Sequence, residues 1–224
     1  MELFRICSTL RWTSRFAVVT LALFLGVDAQ AQQQPGQPAS VQPGNGPILK
    51  PYQYISGEER IKWFVMSTAG PTSLLAGGPI SAGWSTLTNS PEEYGPHWEG
   101  FGKRYAMRLS GISTSNAIEA LSGAALGEDP RYIPAPAGSS FGRRIRYVIV
   151  SSFVAYRPDG SRRFSYSRVA GNVGNNFLSN LWRVESENTA DAAAWRCVWG
   201  LTSRMSGFAF SEFMPSLARK LKRK

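Results

Sequence analysis

The stretch YGPHWEGFGKRYAMRLSGISTSNAIEALSGAALGEDPRY, Tyr94 to Tyr132, decides the fold. Most of it has a helical period with two unlike faces. Trp98, Phe101, Tyr105, Leu109 and Ile112 recur every three or four residues as a bulky apolar stripe. Gly102, Ala106, Ser110, Ser113, Ala117, Ala120 and Ala124 recur at the same spacings on another face. A row of small residues lets a second helix backbone come close. Pro96 forces a fresh helix start, and Gly127 is placed to end the helix. Glu128 and Asp129 then follow a helix C-terminus, where acids are unfavourable. Asp129 before Pro130 reads as the cap of a short turn.

Upstream, Ser56-Gly57-Glu58-Glu59 is a capping box that starts a helix through Trp63 and Phe64. Gly70-Pro71 ends it and opens a second helix carrying Leu74, Leu75, Ile80 and Trp84, with a kink expected at Pro79. No charged residue lies between Trp63 and Pro91. Its four Gly and three Pro keep the hydropathy low, so two tightly packed short helices are expected there rather than a membrane span. Ser90-Pro91-Glu92-Glu93 is a further helix start.

Downstream, Phe141 to Tyr156 fits a helix face through Phe141, Ile145 and Val148. The run Val148-Ile149-Val150 with the turn Pro158-Asp159-Gly160 fits a short β-hairpin near 145–167 instead. We favour the helix, followed by a basic loop. Ser167 is expected to cap a helix with Val169, Val173 and Phe177 on one side and Asn172, Asn176 and Asn180 on another. Buried amides need partners, and Asn116, Ser113 and Ser110 of the long helix are the expected ones. Asn188 or Thr189 caps a last helix, which Pro215 bends or ends. The fold class is mainly α: a compact bundle of five or six helices rich in small-residue packing stripes.

The N-terminus has a different character. Arg5, Arg11 and Arg15 precede the apolar run Phe16 to Val27, and Ala29-Gln30-Ala31 is a small-x-small cleavage site. That is the pattern of a secretory signal peptide over 1–31. A Gln/Pro/Gly-rich linker, expected to be disordered, covers 32–52, the helical domain 53–218, and a basic tail 219–224. Export places the protein in the periplasm or at the outer-membrane surface. Beyond the leader only Cys197 remains, so no intramolecular disulfide is available; Cys197 reads as a small core residue.

The chain carries 25 Lys+Arg against 15 Asp+Glu, a formal net charge of +10. Arg143, Arg144, Arg146, Arg162 and Arg163 form one basic cluster, near Arg157 and Arg168. Arg219, Lys220, Lys222, Arg223 and Lys224 form another behind Phe208, Phe210, Phe213 and Leu217. Clustered cations attract polyanions. For an exported chain these are anionic lipid or envelope polymers; nucleic acid is not expected by compartment. Composition does not set the oligomeric state.

Catalytic chemistry is sparse. His97 is the single histidine, which excludes metal sites built on two His ligands. No nucleophile elbow, P-loop or Rossmann glycine pattern occurs, and no cofactor or metal site is expected. The expected function is therefore a non-enzymatic, envelope-associated protein that docks on anionic lipid or polymer through its basic clusters. The alternative is an enzyme on a helical scaffold using His97 with Glu92, Glu119 or Asp129 as acid and base.

Three segments also resemble a group of uncharacterised exported bacterial envelope proteins: His97 to Tyr105 (HWEGFGKRY), Glu128 to Tyr132 (EDPRY) and Phe164 to Asn172 (FSYSRVAGN). That group shares E-G-[FY]-G-x-R-[FY], D-P-R-Y and F-x-Y-S-x-x-x-G-N. The resemblance spans Ile55 to Leu217. It implies a mainly helical envelope protein and brings no activity or catalytic residues.

Overall fold

The computed structural model describes residues 52–221. The expected leader and the expected linker up to Pro51, with Lys222, Arg223 and Lys224, lie outside the described residues. Six helices and one hairpin follow in order: α1 (Gly57–Ala69), a π-helical turn (Thr72–Gly77), α2 (Gly78–Leu87), α3 (His97–Leu126), α4 (Phe141–Ser151), β1 (Val154–Tyr156), β2 (Arg162–Phe164), α5 (Tyr166–Leu178) and α6 (Ala190–Leu221). The fold is mainly α, as expected. α3 is its axis: α1, α2 and α5 pack on it, and α6 packs on α4 and α5.

The local signals explain most boundaries. The Ser56 hydroxyl accepts from the Glu59 N–H at 3.2 Å, and the Glu59 carboxylate accepts from the Ser56 N–H at 2.9 Å. Two orphan donors of α1 are thereby satisfied. Gly127 adopts a left-handed conformation, φ 68°, and closes α3. An L side chain resists that conformation, so glycine is the natural stop. The acids behind it are neutralised by arginines: Arg157 pairs with Glu128 at 3.0 Å and Arg131 with Asp129 at 2.8 Å. The free carbonyls of the helix end are met too, Glu128 by Arg60 at 2.9 Å and Leu126 by Arg157. Asp129 Oδ1 accepts from the Arg131 N–H at 2.9 Å, the small capping turn that Asp-Pro predicted.

Several expectations need correction. The segment 141–167 is both helix and hairpin: α4 ends at Ser151, and β1 pairs antiparallel with β2, Ala155 opposite Arg163. The cap of α5 is Ser165, whose side chain accepts from the Arg168 N–H, and Ser167 lies inside the first turn. The break before α2 is the π turn, with Pro79 in the opening turn of α2, where it needs no donor. α6 runs through Pro215 to Leu221, and Thr189 caps it.

The asparagine stripe has other partners than α3. Asn172 donates to the Cys197 carbonyl at 2.8 Å, and Asn180 accepts from Arg196 at 2.5 Å, so the stripe ties α5 to α6. Asn116 reaches Thr68 of α1 at 3.0 Å, while Ser110 and Ser113 bond carbonyls of their own helix. Polar side chains on a helix choose whichever acceptor is nearest, and spacing alone does not say which neighbour that is.

The close helix approach is real but uses another face of α3. Gly100, Arg104, Gly111, Glu119 and Gly123 are the buried positions, whereas Gly102, Ala106 and Ala124 are exposed and Ala117 is half-buried. A Cβ on Gly171 of α5 would stand 2.8 Å from the Ser115 carbonyl oxygen and 3.1 Å from Glu119 Cβ. Gly171→Ala is therefore expected to destabilise by about 1–3 kcal/mol through overpacking. Thermal unfolding of this variant checks it; a melting curve matching wild type would show that α3 and α5 do not pack as described.

Candidate functional site

Charge occupies the interior of this fold. Glu119, Glu128 and Asp129 are fully buried, and Arg168 is 4 % exposed. Buried ions persist only when paired and hydrogen-bonded, and the buried carboxylates meet that condition. Glu119 of α3 accepts from Arg204 of α6 at 3.0 and 2.5 Å through both oxygens, and Arg168 Nε of α5 lies 3.6 Å away. Arg168 also donates to the carbonyls of Ser151, Val154 and Arg131, locking α5 to the end of α4 and to the loop after α3. Burial pushes the Arg168 guanidinium down to about 10, against the opposing pull of Glu119, so it is a cation at neutral pH.

Glu128 sits at the N-terminus of α5. It accepts from the Ser165 and Ser167 hydroxyls at 2.8 and 2.6 Å, from the Ser167 and Tyr166 N–H groups at 2.9 and 3.2 Å, and from Arg157 at 3.0 Å. Burial works to raise its pKa, but the hydrogen bonds from Ser167, Ser165 and Tyr166 outweigh it and hold the carboxyl below its ordinary range. Asp129 accepts from Tyr52 at 2.8 Å and from Arg131 at 2.8 Å. Glu212 of α6 accepts from the Tyr132 hydroxyl at 2.7 Å, the Ala135 N–H at 3.0 Å and Arg144 at 2.6 Å. Burial and the Glu212 carboxylate together push the Tyr132 phenol up.

These groups are ties rather than reagents. Each buried carboxylate is occupied by donors, and Ser165 and Ser167 point their protons at a carboxylate with no imidazole alongside. His97 is exposed at the start of α3, 22 residues before Glu119, about 33 Å along the helix axis. The geometry does not join His97 to Glu119 or to Asp129, which faces Tyr52 and Arg131. Of the other acids beside it, Glu92 is exposed and Glu99 pairs with Lys103 at 2.6 Å. Burial pushes the Cys197 thiol up, away from a reactive thiolate. Among the described residues no cluster of three or more His, Cys, Asp or Glu is placed to hold a metal ion.

The basic cluster is divided between inside and outside. Arg143 and Arg146, one turn apart on α4, are exposed. Arg144 turns inward to Glu212, with its guanidinium 4.5 Å from the Phe213 ring. Arg162 lies over the Tyr147 ring at 4.3 Å and donates to Ser151 at 2.9 Å, while its neighbour Arg163 points to solvent 3.7 Å from Asp159. Strand alternation separates those two. Arg219 and Lys220 fall on the last turn of α6, and their side chains lie outside the described residues, like the rest of the tail.

Large apolar side chains stand exposed on three of the helices. α2 buries Gly78 and Ala82 against α3 and turns Ile80, Trp84 and Leu87 outward, Trp84 71 % and Leu87 84 % exposed. α5 buries Ser167, Arg168, Gly171 and Asn176 and exposes Val169, Val173 and Phe177. α6 exposes Trp195, Val198, Trp199 and Phe210. This reverses the usual arrangement, in which the apolar stripe of a helix faces the core. Periodicity shows the apolar stripe of α5 without saying which way it faces, and no spacing in the chain brings Glu119, Glu128, Arg168 and Arg204 together. The pair of acids directly behind a helix-ending glycine was the available signal. No protein-family model, curated protein or solved structure matches this chain. Among the described residues no helix is long and apolar enough to cross a membrane.

Proposed function

We propose that this chain is a non-enzymatic, lipid-associated envelope protein that works as a helical scaffold at a membrane surface. The observation that carries the reading is the reversed polarity: wide apolar faces on α2, α5 and α6 around an interior of ion pairs. Large exposed apolar patches mark surfaces that meet another apolar phase. Helices too polar to span lie in the interface, with aromatic and aliphatic groups among the acyl chains. Trp84, Trp98, Trp195 and Trp199, all exposed, suit that boundary. Exposed Arg143, Arg146 and Arg163 are the cations that meet anionic head groups, with the tail 219–224 adding to them.

Co-sedimentation with vesicles tests this. The protein is expected to bind neutral phosphatidylcholine vesicles through its apolar faces and anionic vesicles more tightly at low salt. Ile80→Glu, on the outer side of α2, removes an apolar contact from lipid, worth about 1.5–3 kcal/mol. It should weaken binding by about tenfold or more. A protein that stays in the supernatant with both vesicle types would overturn the reading. An anionic preference unchanged in a form ending at Ala218 would remove the tail from it.

A further inference from the structure

Glu212 is the one acid of the chain after Asp191, and it sits inside an aromatic and basic run, Phe208 to Lys224. It is 5 % exposed. Three donors converge on its carboxylate from two other elements. The Tyr132 hydroxyl at 2.7 Å and the Ala135 N–H at 3.0 Å come from the loop after α3, and Arg144 at 2.6 Å comes from α4. Arg144 also donates to the Glu212 carbonyl. Burial works to raise the Glu212 pKa, but Tyr132, Arg144 and Ala135 outweigh it, so a carboxylate stands there at neutral pH.

What this carboxylate holds down is apolar. Phe208 stacks on Tyr132 at 4.7 Å, and Phe213 lies under the Arg144 guanidinium at 4.5 Å and beside Phe141 at 5.4 Å. Both rings are half-buried, whereas Phe210 and Met214 of the same turns are exposed. The helix is weak on either side of the tie. Gly207 has open space where a Cβ would be, and glycine is a poor helix former. Pro215 has no N–H to give the Ser211 carbonyl. A stretch between two such residues opens more readily than the rest of its helix.

We propose that Glu212 and Arg144 form a latch on the membrane-binding surface: an anionic bilayer draws Arg144 onto its phosphates, and α6 from Phe208 onward turns Phe208 and Phe213 into the acyl region. The inference rests on the lipid-associated reading above and gives its regulation. Arg143 and Arg146 are exposed on the same helix and bring α4 to the head groups. The Arg144 side chain is itself 25 % exposed, so a phosphate can reach it. Phosphate fits a guanidinium in the same fork as a carboxylate does, and it competes for the same donors. Once released, the segment places aromatic rings beside the clustered cations of 219–224, the composition of an interfacial anchor.

The test compares wild type with four variants for binding to phosphatidylcholine vesicles containing phosphatidylglycerol, with hydrogen exchange of the free proteins in parallel. Glu212→Gln and Arg144→Gln both open the latch but move the net charge in opposite directions. The latch predicts tighter binding for both; simple charge attraction predicts weaker binding for Arg144→Gln. Glu212→Gln is expected to gain about tenfold, the effect of one further aromatic ring in lipid. Arg144→Gln should gain about twofold, because losing a cation takes back about fivefold. Arg146→Gln removes an exposed cation and should lose about fivefold. Arg157→Gln breaks the pair with buried Glu128, away from α6, and should gain nothing. In the two latch variants faster exchange should be confined to 208–216, with α3 as protected as in wild type. If Arg144→Gln binds more weakly than wild type, Arg144 is an ordinary surface cation and the latch is refuted. If Arg157→Gln gains as much as Arg144→Gln, the gain is general loosening and the latch is refuted. If the latch variants lose protection throughout α3, Glu212 ties the whole fold and not one segment, and the latch is again refuted. If wild type binds neither these vesicles nor phosphatidylcholine alone, the lipid reading itself falls, and this inference with it.

Discussion

Glu119→Gln is expected to lower the unfolding free energy by about 3–5 kcal/mol, the cost of leaving buried cations without their counter-ion. The side chain keeps its size, so little of the loss comes from a cavity. What disappears is the charge that Arg204 grips through two oxygens and that Arg168 approaches at 3.6 Å. Glu119 is 0 % exposed, so water does not replace it. Three helices, α3, α5 and α6, meet at this one carboxylate. A double variant, Glu119→Leu with Arg204→Met, removes the Arg204 pair together and should recover part of the loss, because swapping a whole buried pair for apolar groups is often near neutral. Arg168 retains its carbonyl acceptors in that variant. Denaturant unfolding followed by helical circular dichroism measures both. A single-variant loss below about 1 kcal/mol would mean that Glu119 reaches water and that Arg204 of α6 does not bridge to α3 as described.

The sequence showed its helices and concealed their orientation, for a physical reason. Caps and breakers act within four residues, so Ser56 with Glu59 and Gly127 were legible without any tertiary context. The periodicity of Val169, Val173 and Phe177 was equally legible, but periodicity is blind to sign. It states that one face is apolar and leaves open whether that face meets the core or the outside. Here small residues and ions took the interior. The bulky stripe of α3 is mixed: Trp98 at its start is 84 % exposed, while Phe101, Tyr105, Leu109 and Ile112 are half-buried and the Tyr105 hydroxyl donates to the Leu74 carbonyl. The small stripe through Ala117 is the row that spacing marks for close contact, but the buried row is Gly100, Gly111 and Gly123, interrupted in sequence by Arg104 and Glu119. Those two charges are what the face buries. Arg104 is held by four acceptors, Asn89 Oδ1 and the carbonyls of Ser90, Pro91 and Gly95.

The basic cluster was harder still. Seven arginines between Arg143 and Arg168 looked like one surface because their acid partners are remote in sequence: Glu212 for Arg144, Glu128 for Arg157, Glu119 for Arg168. A charge run reads as solvated when its partners are not local. That leaves Arg143, Arg146 and Arg163 as the exposed part of the cluster, and it makes acid rather than salt the condition that should dismantle this fold.

Acid should act through Glu128. Its folded pKa lies below the ordinary value near 4.5, because donors from Ser165, Tyr166 and Ser167 outweigh the effect of burial. A depressed carboxyl pKa contributes stability that is fully present above the unfolded value. That stability is lost as pH falls through the folded value. Glu212 is depressed as well, burial again being outweighed by Tyr132, Arg144 and Ala135. Wild type should therefore lose stability steadily below about pH 4.5, by up to about 1.4 kcal/mol per pH unit for each such group. Glu128→Gln should do two things. At neutral pH it should cost about 3 kcal/mol, since several donors at the N-terminus of α5 lose a charged acceptor. Below pH 4.5 its stability should fall less steeply than that of wild type, because one of the two titrating anchors is gone. Urea unfolding at pH 7, 4.5, 3.5 and 2.5 measures both effects. Parallel curves for the two proteins would show that protonation of Glu128 is not what loosens α5 from the end of α3.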